Sequence, residues 1–303
     1  MPESELDEMI FLVELLNKYP IESIRKIAQS EGIDYYYLKR LYDKYYDHIS
    51  VYAIYNIKRL GLHSYLAFLS VPRENLRETA EKLKANPFVL SVSAMFGFKN
   101  GINVIMHIPT EQQDLMGEYL SRFSDDFEYY EVRAYPPSGD DNFGEWDLSY
   151  SYAVLMDILK WDARTPLSEI SKKLGKSRPT VRYMIDRLKK EDILLGYGAA
   201  LDNDMADRSV VGIASTLNED VFERFKEYEI HVGVLKGAGY YLEWYFSSNE
   251  DLAEKIFEFG KYAEKVAIMY LDMLRDIEEK YKLWRFSGMV KKDGSGYRSI
   301  LDF

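Results

Sequence analysis

The chain contains no cysteine. That excludes a disulfide framework, a zinc ribbon and a cysteine nucleophile, and nothing argues for an oxidising compartment. Histidine is almost as scarce, with His48, His63, His107 and His231 the full set. No apolar run approaches the roughly 18 uninterrupted residues that mark a membrane-spanning helix. The opening from Met1 to Ile10 is acidic and amphipathic rather than basic and then apolar, so no targeting segment is expected. These absences predict a cytoplasmic protein with no membrane partner. What is present is a chain of 303 residues, 47% hydrophobic and 15% aromatic, with 26 Tyr, enough to fill real cores and to exclude disorder. At roughly 100 to 200 residues per domain, about two to three domains are expected.

The net charge of -11 is unevenly spread. Residues 111–150 carry 11 acids against Arg122 and Arg133, whereas residues 160–195 carry ten bases against five acids. Screening confines each charge to a neighbourhood of about 10 Å. A basic segment inside an acidic chain therefore points to polyanion contact more directly than the overall charge does.

A turn-rich cluster, Pro136 to Asn142, divides the chain into halves with the same order of elements. In the first half Leu6, Met9, Ile10, Val13 and Leu16 mark one amphipathic helix, Ile24 and Ile27 a short second, and Leu38, Leu41 and Tyr45 a third. In the second half Val154 to Leu159, then Leu167, Ile170 and Leu174, then Val181, Ile185 and Leu188 give the same three. Each triplet is followed by apolar runs and helical patterns in the order βαββαβ, a ferredoxin-like unit whose sheet has two helices on one face and needs a partner on the other. The expected fold class is α+β. It comprises two repeats of a winged helix-turn-helix followed by a ferredoxin-like βαββαβ domain, packed as an intrachain pseudo-dimer. The expected boundaries are 1–60 (a degenerate winged helix-turn-helix), 61–136 (ferredoxin-like), 137–147 (linker), 148–204 (winged helix-turn-helix), 205–283 (ferredoxin-like) and 284–303 (a C-terminal β-hairpin extension from Trp284).

The second triplet carries the chemistry. Gly175 stands in the turn before the third helix, Ser177 is placed to cap that helix, and Pro179 occupies its first turn, the pattern of a helix-turn-helix. Such a motif sets the start of its last helix into the major groove. With Val181, Ile185 and Leu188 expected in the core, Arg178, Thr180, Arg182, Tyr183, Asp186 and Arg187 face outward, and Lys172, Lys176 and Ser177 flank them. Arginines and hydroxyls at such positions suit guanine edges and phosphates. In the first half the corresponding positions are Tyr35, Tyr36, Lys39 and Arg40, a tyrosine-rich surface that suits either DNA or a protein contact.

From Leu148 to Asp202 the sequence resembles the Lrp/AsnC family of prokaryotic transcription regulators, through Ser177, Thr180, Val181, Ile185, Leu188, Gly196, Tyr197, Ala199, Leu201 and Asp202. The resemblance implies a ferredoxin-like sensing domain after each reader, double-stranded DNA as partner, and dimers in which the sheets pack face to face. The segment Val51 to Gly61 in the first half lacks the Gly-Tyr wing pattern. Two such units in one chain would make the pairing intramolecular. A symmetric homodimer would present two copies of the more basic reader, on half-sites an integral number of turns of about 10 bp apart. The expected place for a small-molecule effector is the hairpin containing Gly237, Gly239 and Tyr240, with Met95 to Ile102 as its counterpart. Neither hairpin keeps an acid to hold an amino-acid ammonium group, and a tight turn accounts for the same glycines.

No catalytic motif, metal-ligand spacing or phosphate-binding loop is present, and neither a metal nor a cofactor is expected. Some proteins with this tandem-like fold are tetrapyrrole decarboxylases of haem biosynthesis that use His and Arg at the sensor-domain interface, and His107 and His231 fall at strand positions. A decarboxylase has no use for Arg178, Arg182 and Arg187 on one exposed face, so the chain is expected not to be an enzyme. A third reading is a protein that binds other proteins through its tyrosine-rich first triplet, with little affinity for DNA.

Overall fold

The computed structural model describes residues 4–137, 142–201, 208–226, 228, 230–246, 252–280 and 285–303. Ser138 to Asp141 of the expected linker, Asp202 of the wing pattern and Trp284 lie outside the described residues. The first half runs α1 (Glu5–Lys18), α2 (Ile24–Glu31), α3 (Tyr35–Tyr45), β1 (Ile49–Tyr55), β2 (Leu62–Ser70), α4 (Leu76–Ala85), β3 (Val89–Gly97), β4 (Gly101–Pro109), α5 (Met116–Ser121) and β5 (Phe127–Ala134). The second half repeats it as α6 (Tyr150–Trp161), α7 (Leu167–Leu174), α8 (Arg178–Lys190), β6 (Leu194–Leu201), β7 (Arg208–Ala214), α9 (Asp220–Arg224), β8 (Ile230–Leu235), β9 (Gly239–Phe246), α10 (Leu252–Phe259) and β10 (Lys265–Tyr270). Two short helices follow, α11 (Arg275–Lys280) and α12 (Phe286–Met289). No helix among the described residues is long and apolar enough to cross a membrane.

The fold is α+β, with two winged helix-turn-helix and βαββαβ repeats forming a pseudo-dimer inside one chain. The chain sorts into two compact units that cut across the halves: one holds residues 1–60, 146–204 and 290–296, the other 61–145, 205–289 and 297–303. Like elements of the two halves have gone together.

In the first unit β1 and β6 pair antiparallel, with Val51 opposite Ala199 and Ala53 opposite Tyr197. Of the segment without the Gly-Tyr pattern, the part up to Tyr55 is strand paired with the wing strand of the other half, and Ile57–Leu60 is a 3-10 turn. Ala163 and Ala199 from the second half are buried in the same core as Leu12, Leu16, Leu38 and Leu41. Asn17 acts as a strand edge: its amide nitrogen donates to the Ala199 carbonyl at 2.9 Å and its amide oxygen accepts from the Ala199 N–H at 2.8 Å.

In the second unit the two sheets close into one barrel in the order β10-β3-β4-β2-β5-β8-β9-β7. Each half supplies four strands, and the halves meet along two antiparallel seams, β3 with β10 and β5 with β8. Leu66, Phe68, Met95, Val211, Ile213 and Met269 form one cluster drawn from both halves. Full closure leaves no strand edge unpaired.

Three local expectations change. On α1 the buried residues are Leu12, Leu15 and Leu16, while Leu6 and Ile10 are exposed, because the core meets that helix near its C-terminal end. On α8 Met184 takes the core position expected of Ile185, which is only half-buried. Residues 285–303 form helix α12, a final 3-10 turn and, between them, a hairpin much shorter than expected, closed by Lys291 N–H to the Gly296 carbonyl and Arg298 N–H to the Met289 carbonyl. The last residues are tied by side chains: Gln112 accepts from the Ile300 N–H at 2.8 Å, and Asn86 donates to the Ile300 carbonyl at 3.0 Å. With no open sheet edge to cover, this tail packs beside the helical layer instead.

Candidate functional site

The α7–α8 pair is built as its residues dictate. Gly175 closes α7 at φ +62°, a left-handed conformation that suits glycine, and a Cβ there would meet open space. The Ser177 hydroxyl accepts from the Thr180 N–H at 3.3 Å and starts α8, with Pro179 in the first turn. Ile170, Val181, Met184 and Leu188 anchor the pair to the core. Lys172, Ser177, Arg178, Thr180, Arg182 and Tyr183 are exposed, Tyr183 to 67%, and Lys176 is half-buried. The Thr180 hydroxyl is hydrogen-bonded to that of Ser177 at 2.8 Å, so the two act as one polar pair.

Arg187 is placed differently from its neighbours. Its guanidinium bonds Glu191 at 2.7 Å, lies 3.9 Å from Asp147 and stacks over the Tyr152 ring. The Glu191 hydrogen bond raises its pKa further. It holds α8 to its surroundings. Arg178, Arg182, Lys172 and Lys176, by contrast, have no acidic partner within ion-pair distance among the described residues.

On the corresponding face of α3 the lysines are already matched, while Arg40 is exposed without an acidic partner among the described residues. Lys39 bonds Asp43, which raises the lysine pKa, and Lys44 bonds Glu5 at 2.9 Å. The Arg40 guanidinium lies over the Tyr37 ring, and the half-buried Tyr35 is covered by Arg25. Tyr36 remains 79% exposed. The two helix-turn-helix units thus keep one architecture and differ in the number of cations without an acidic partner.

Sequence reasoning missed the residue that joins them. Arg164 donates to the Pro20 carbonyl and the Glu22 carbonyl, both at 2.7 Å, and to the Tyr42 hydroxyl at 3.2 Å. A lone arginine in a loop carries no signal of such long-range partners.

In the barrel, a pocket of about 340 Å³ is lined by Ser64, Arg133, His231, Tyr241, Glu243 and Tyr245 among others. Buried Glu243 accepts from Ser209 and Tyr241, each at 2.7 Å, and stands opposite His231 in the β8–β9 register. Burial, then the nearby Glu243 charge, pushes the Tyr241 hydroxyl well above its ordinary pKa, so it stays a donor. The His231 ring packs edge-on against Tyr245, and His107 shares a hydrogen bond of 3.2 Å with Ser64. Ser64, the partner of buried His107, lines the same pocket as the exposed His231, so both strand histidines flank one polar end of the barrel. In the expected effector hairpin, Gly237 turns at φ +75° and Tyr240 is half-buried. A Cβ on Gly239 would come within 2.2 Å of the Ala214 carbonyl oxygen, so strand packing alone requires that glycine.

Residues 155–194 match a winged helix-turn-helix DNA-binding family. Over 81 residues the chain is 37% identical to the HTH-type transcriptional regulator LrpA of Pyrococcus horikoshii, and equally to that of Pyrococcus abyssi. That stretch is 25% of this chain and spans 57% of the length of either regulator. Among solved structures, the siroheme decarboxylase NirDL shares the fold over 92% of this chain and 97% of its own, with a TM-score of 0.59 and 18% identity. The same enzyme in complex with an iron-uroporphyrin III analogue gives a TM-score of 0.58.

This likeness overturns the expectation that the chain is not an enzyme. The absence of short catalytic motifs does not decide the matter, because the fold is shared almost end to end with an enzyme. The barrel interior, reached only by folding, can hold polar groups that lie far apart in the chain.

Proposed function

We propose that this chain is a sequence-specific transcription regulator of the Lrp/AsnC type that reads double-stranded DNA mainly through α8. One observation carries the reading: Arg178 and Arg182 stand exposed on the first turns of α8 without acidic partners, next to the Ser177–Thr180 pair and Tyr183. Unpaired guanidinium groups at that place suit guanine edges and phosphates. Lys172 and Lys176 flank them and add phosphate contacts. Tyr35, Tyr36, Lys39 and Arg40 on α3 contribute less, because Lys39 is neutralised by Asp43 and Arg40, packed over the Tyr37 ring, is the one exposed arginine there against two on α8.

A second reading is favoured by the barrel pocket. A carboxylate entering it would meet His231 and Arg133, groups able to bind an acid and move a proton, so the barrel would act on an acidic side arm of a tetrapyrrole.

One set of titrations separates the two. Anisotropy of labelled DNA from upstream of the chain's own gene, against a scrambled duplex, is expected to show preference for the former and an affinity that falls steeply with salt. Arg182→Ala should weaken specific binding by about 1–3 kcal/mol. Absence of binding to either duplex at low salt overturns the regulator reading. A shifted absorbance band on adding an iron uroporphyrin, lost in His231→Ala, would then favour the second.

A further inference from the structure

Ile185 has the spacing of a core residue and is not one. With Met184 in the core, Ile185 lines a cleft of about 470 Å³ behind the exposed face of α8. Leu159 and Ile170 line it as well, and Ile21 belongs to the loop between α1 and α2. Arg182 and Lys189 also stand on its wall, Lys189 with its ammonium 5.8 Å from the centre of the Tyr197 ring.

The charges in the cleft select its occupant. The Arg164 guanidinium is committed to the Pro20 and Glu22 carbonyls, and the Glu22 carboxylate to Lys26 at 2.6 Å. Two cations, Arg182 and Lys189, then face one carboxylate, Asp186, and none of the three has an ion-pair partner among the described residues. Counted with Arg164, whose carbonyl partners carry no charge, the cleft keeps an excess of positive charge beside an apolar floor. The volume falls within the range of about 300–1,000 Å³ typical of small-molecule sites.

We propose that this cleft binds a small monocarboxylic acid with an apolar body, and that its carboxylate draws Arg182 away from DNA. The second half rests on the regulator reading above; the first does not. Apolar atoms of the ligand cover Leu159, Ile170 and Ile185, while Lys189 and Arg182 hold the carboxylate. Arg182 cannot serve the ligand and a base edge at once, so ligand and DNA compete for one side chain.

The test uses the full chain and the fluorescent monoanion 1-anilinonaphthalene-8-sulfonate as probe. Saturable binding is expected, weakened about tenfold by Ile185→Glu and about threefold by the surface change Lys189→Gln. Ile10→Glu, in a separate groove beside Phe11, Ile33 and Tyr37, should leave it unchanged. Octanoate should displace the probe and octyltrimethylammonium should not. No saturable binding, no loss in Lys189→Gln, loss in Ile10→Glu, or equal displacement by the cation would each overturn the site. Octanoate should also weaken DNA binding by the wild type, and about threefold more of it should be needed for the same effect in Lys189→Gln. If the chain binds no DNA, the regulator reading falls while the probe experiment still decides the cleft.

Discussion

Glu131 on β5 is buried, yet it is the centre of a charged cluster. Its carboxylate meets His63 at 3.0 Å, Lys236 at 2.8 Å and Arg133 at 3.3 Å. Burial pushes its pKa up, but hydrogen bonds from Lys236 and His63 outweigh that and hold it below the ordinary value of 4.5. His63 is in turn fixed by Thr110 at 3.1 Å and by the Phe143 ring stacked 3.5 Å away. Since the folded state holds the proton more weakly than the unfolded chain, the stabilisation is complete above the ordinary glutamate value and is lost as pH falls through the lower, folded one. Glu131→Gln should therefore cost about 1–3 kcal/mol near neutral pH. The gap between variant and wild type should narrow on acidification to about pH 3. Urea titrations at the two pH values measure it, and a gap of unchanged size would show that the cluster works by shape and not by charge.

At the scale of elements, both seams of the barrel depend on a glycine. A Cβ on Gly97 of β3 would lie 2.3 Å from the Val266 carbonyl oxygen, and one on Gly233 of β8 would lie 2.7 Å from a Val132 methyl group. Gly97→Ala must push β10 off β3 and should cost about 1–3 kcal/mol, whereas Gly196→Ala, with open space around it, should stay within about 0.5 kcal/mol. Equal urea midpoints for the two variants would mean that the seam yields without cost. These seams also mark where sequence reading stopped. The βαββαβ order and the start of α8 were legible because alternation, Ser177 and Pro179 act over a few residues. The pairing of β1 with β6, the Arg164 bridge and the Asn17 strand mimic join residues 122 to 182 positions apart, which no local pattern encodes. The exchange of Ile185 for Met184 is subtler. Both fit a 3.6-residue stripe, and only the position of the neighbouring helices decides which enters the core.

At the scale of the whole molecule, the sorting of the chain into two compact units changes what its stability depends on. A ferredoxin-like sheet alone exposes one face and two edges; here the second sheet arrives on the same chain, and the barrel closes through β3–β10 and β5–β8. Residues from both halves, Phe68 and Met95 from one and Val211 and Met269 from the other, share one buried cluster. Association of separate chains would make folding depend on concentration, whereas a covalent pair folds at a fixed effective concentration. The denaturation midpoint should accordingly be independent of protein concentration over about a hundredfold range. A midpoint that climbs with concentration would mean that a second chain completes the folded state, and the exposed cations of α8 would then have to be counted per pair of chains rather than per chain.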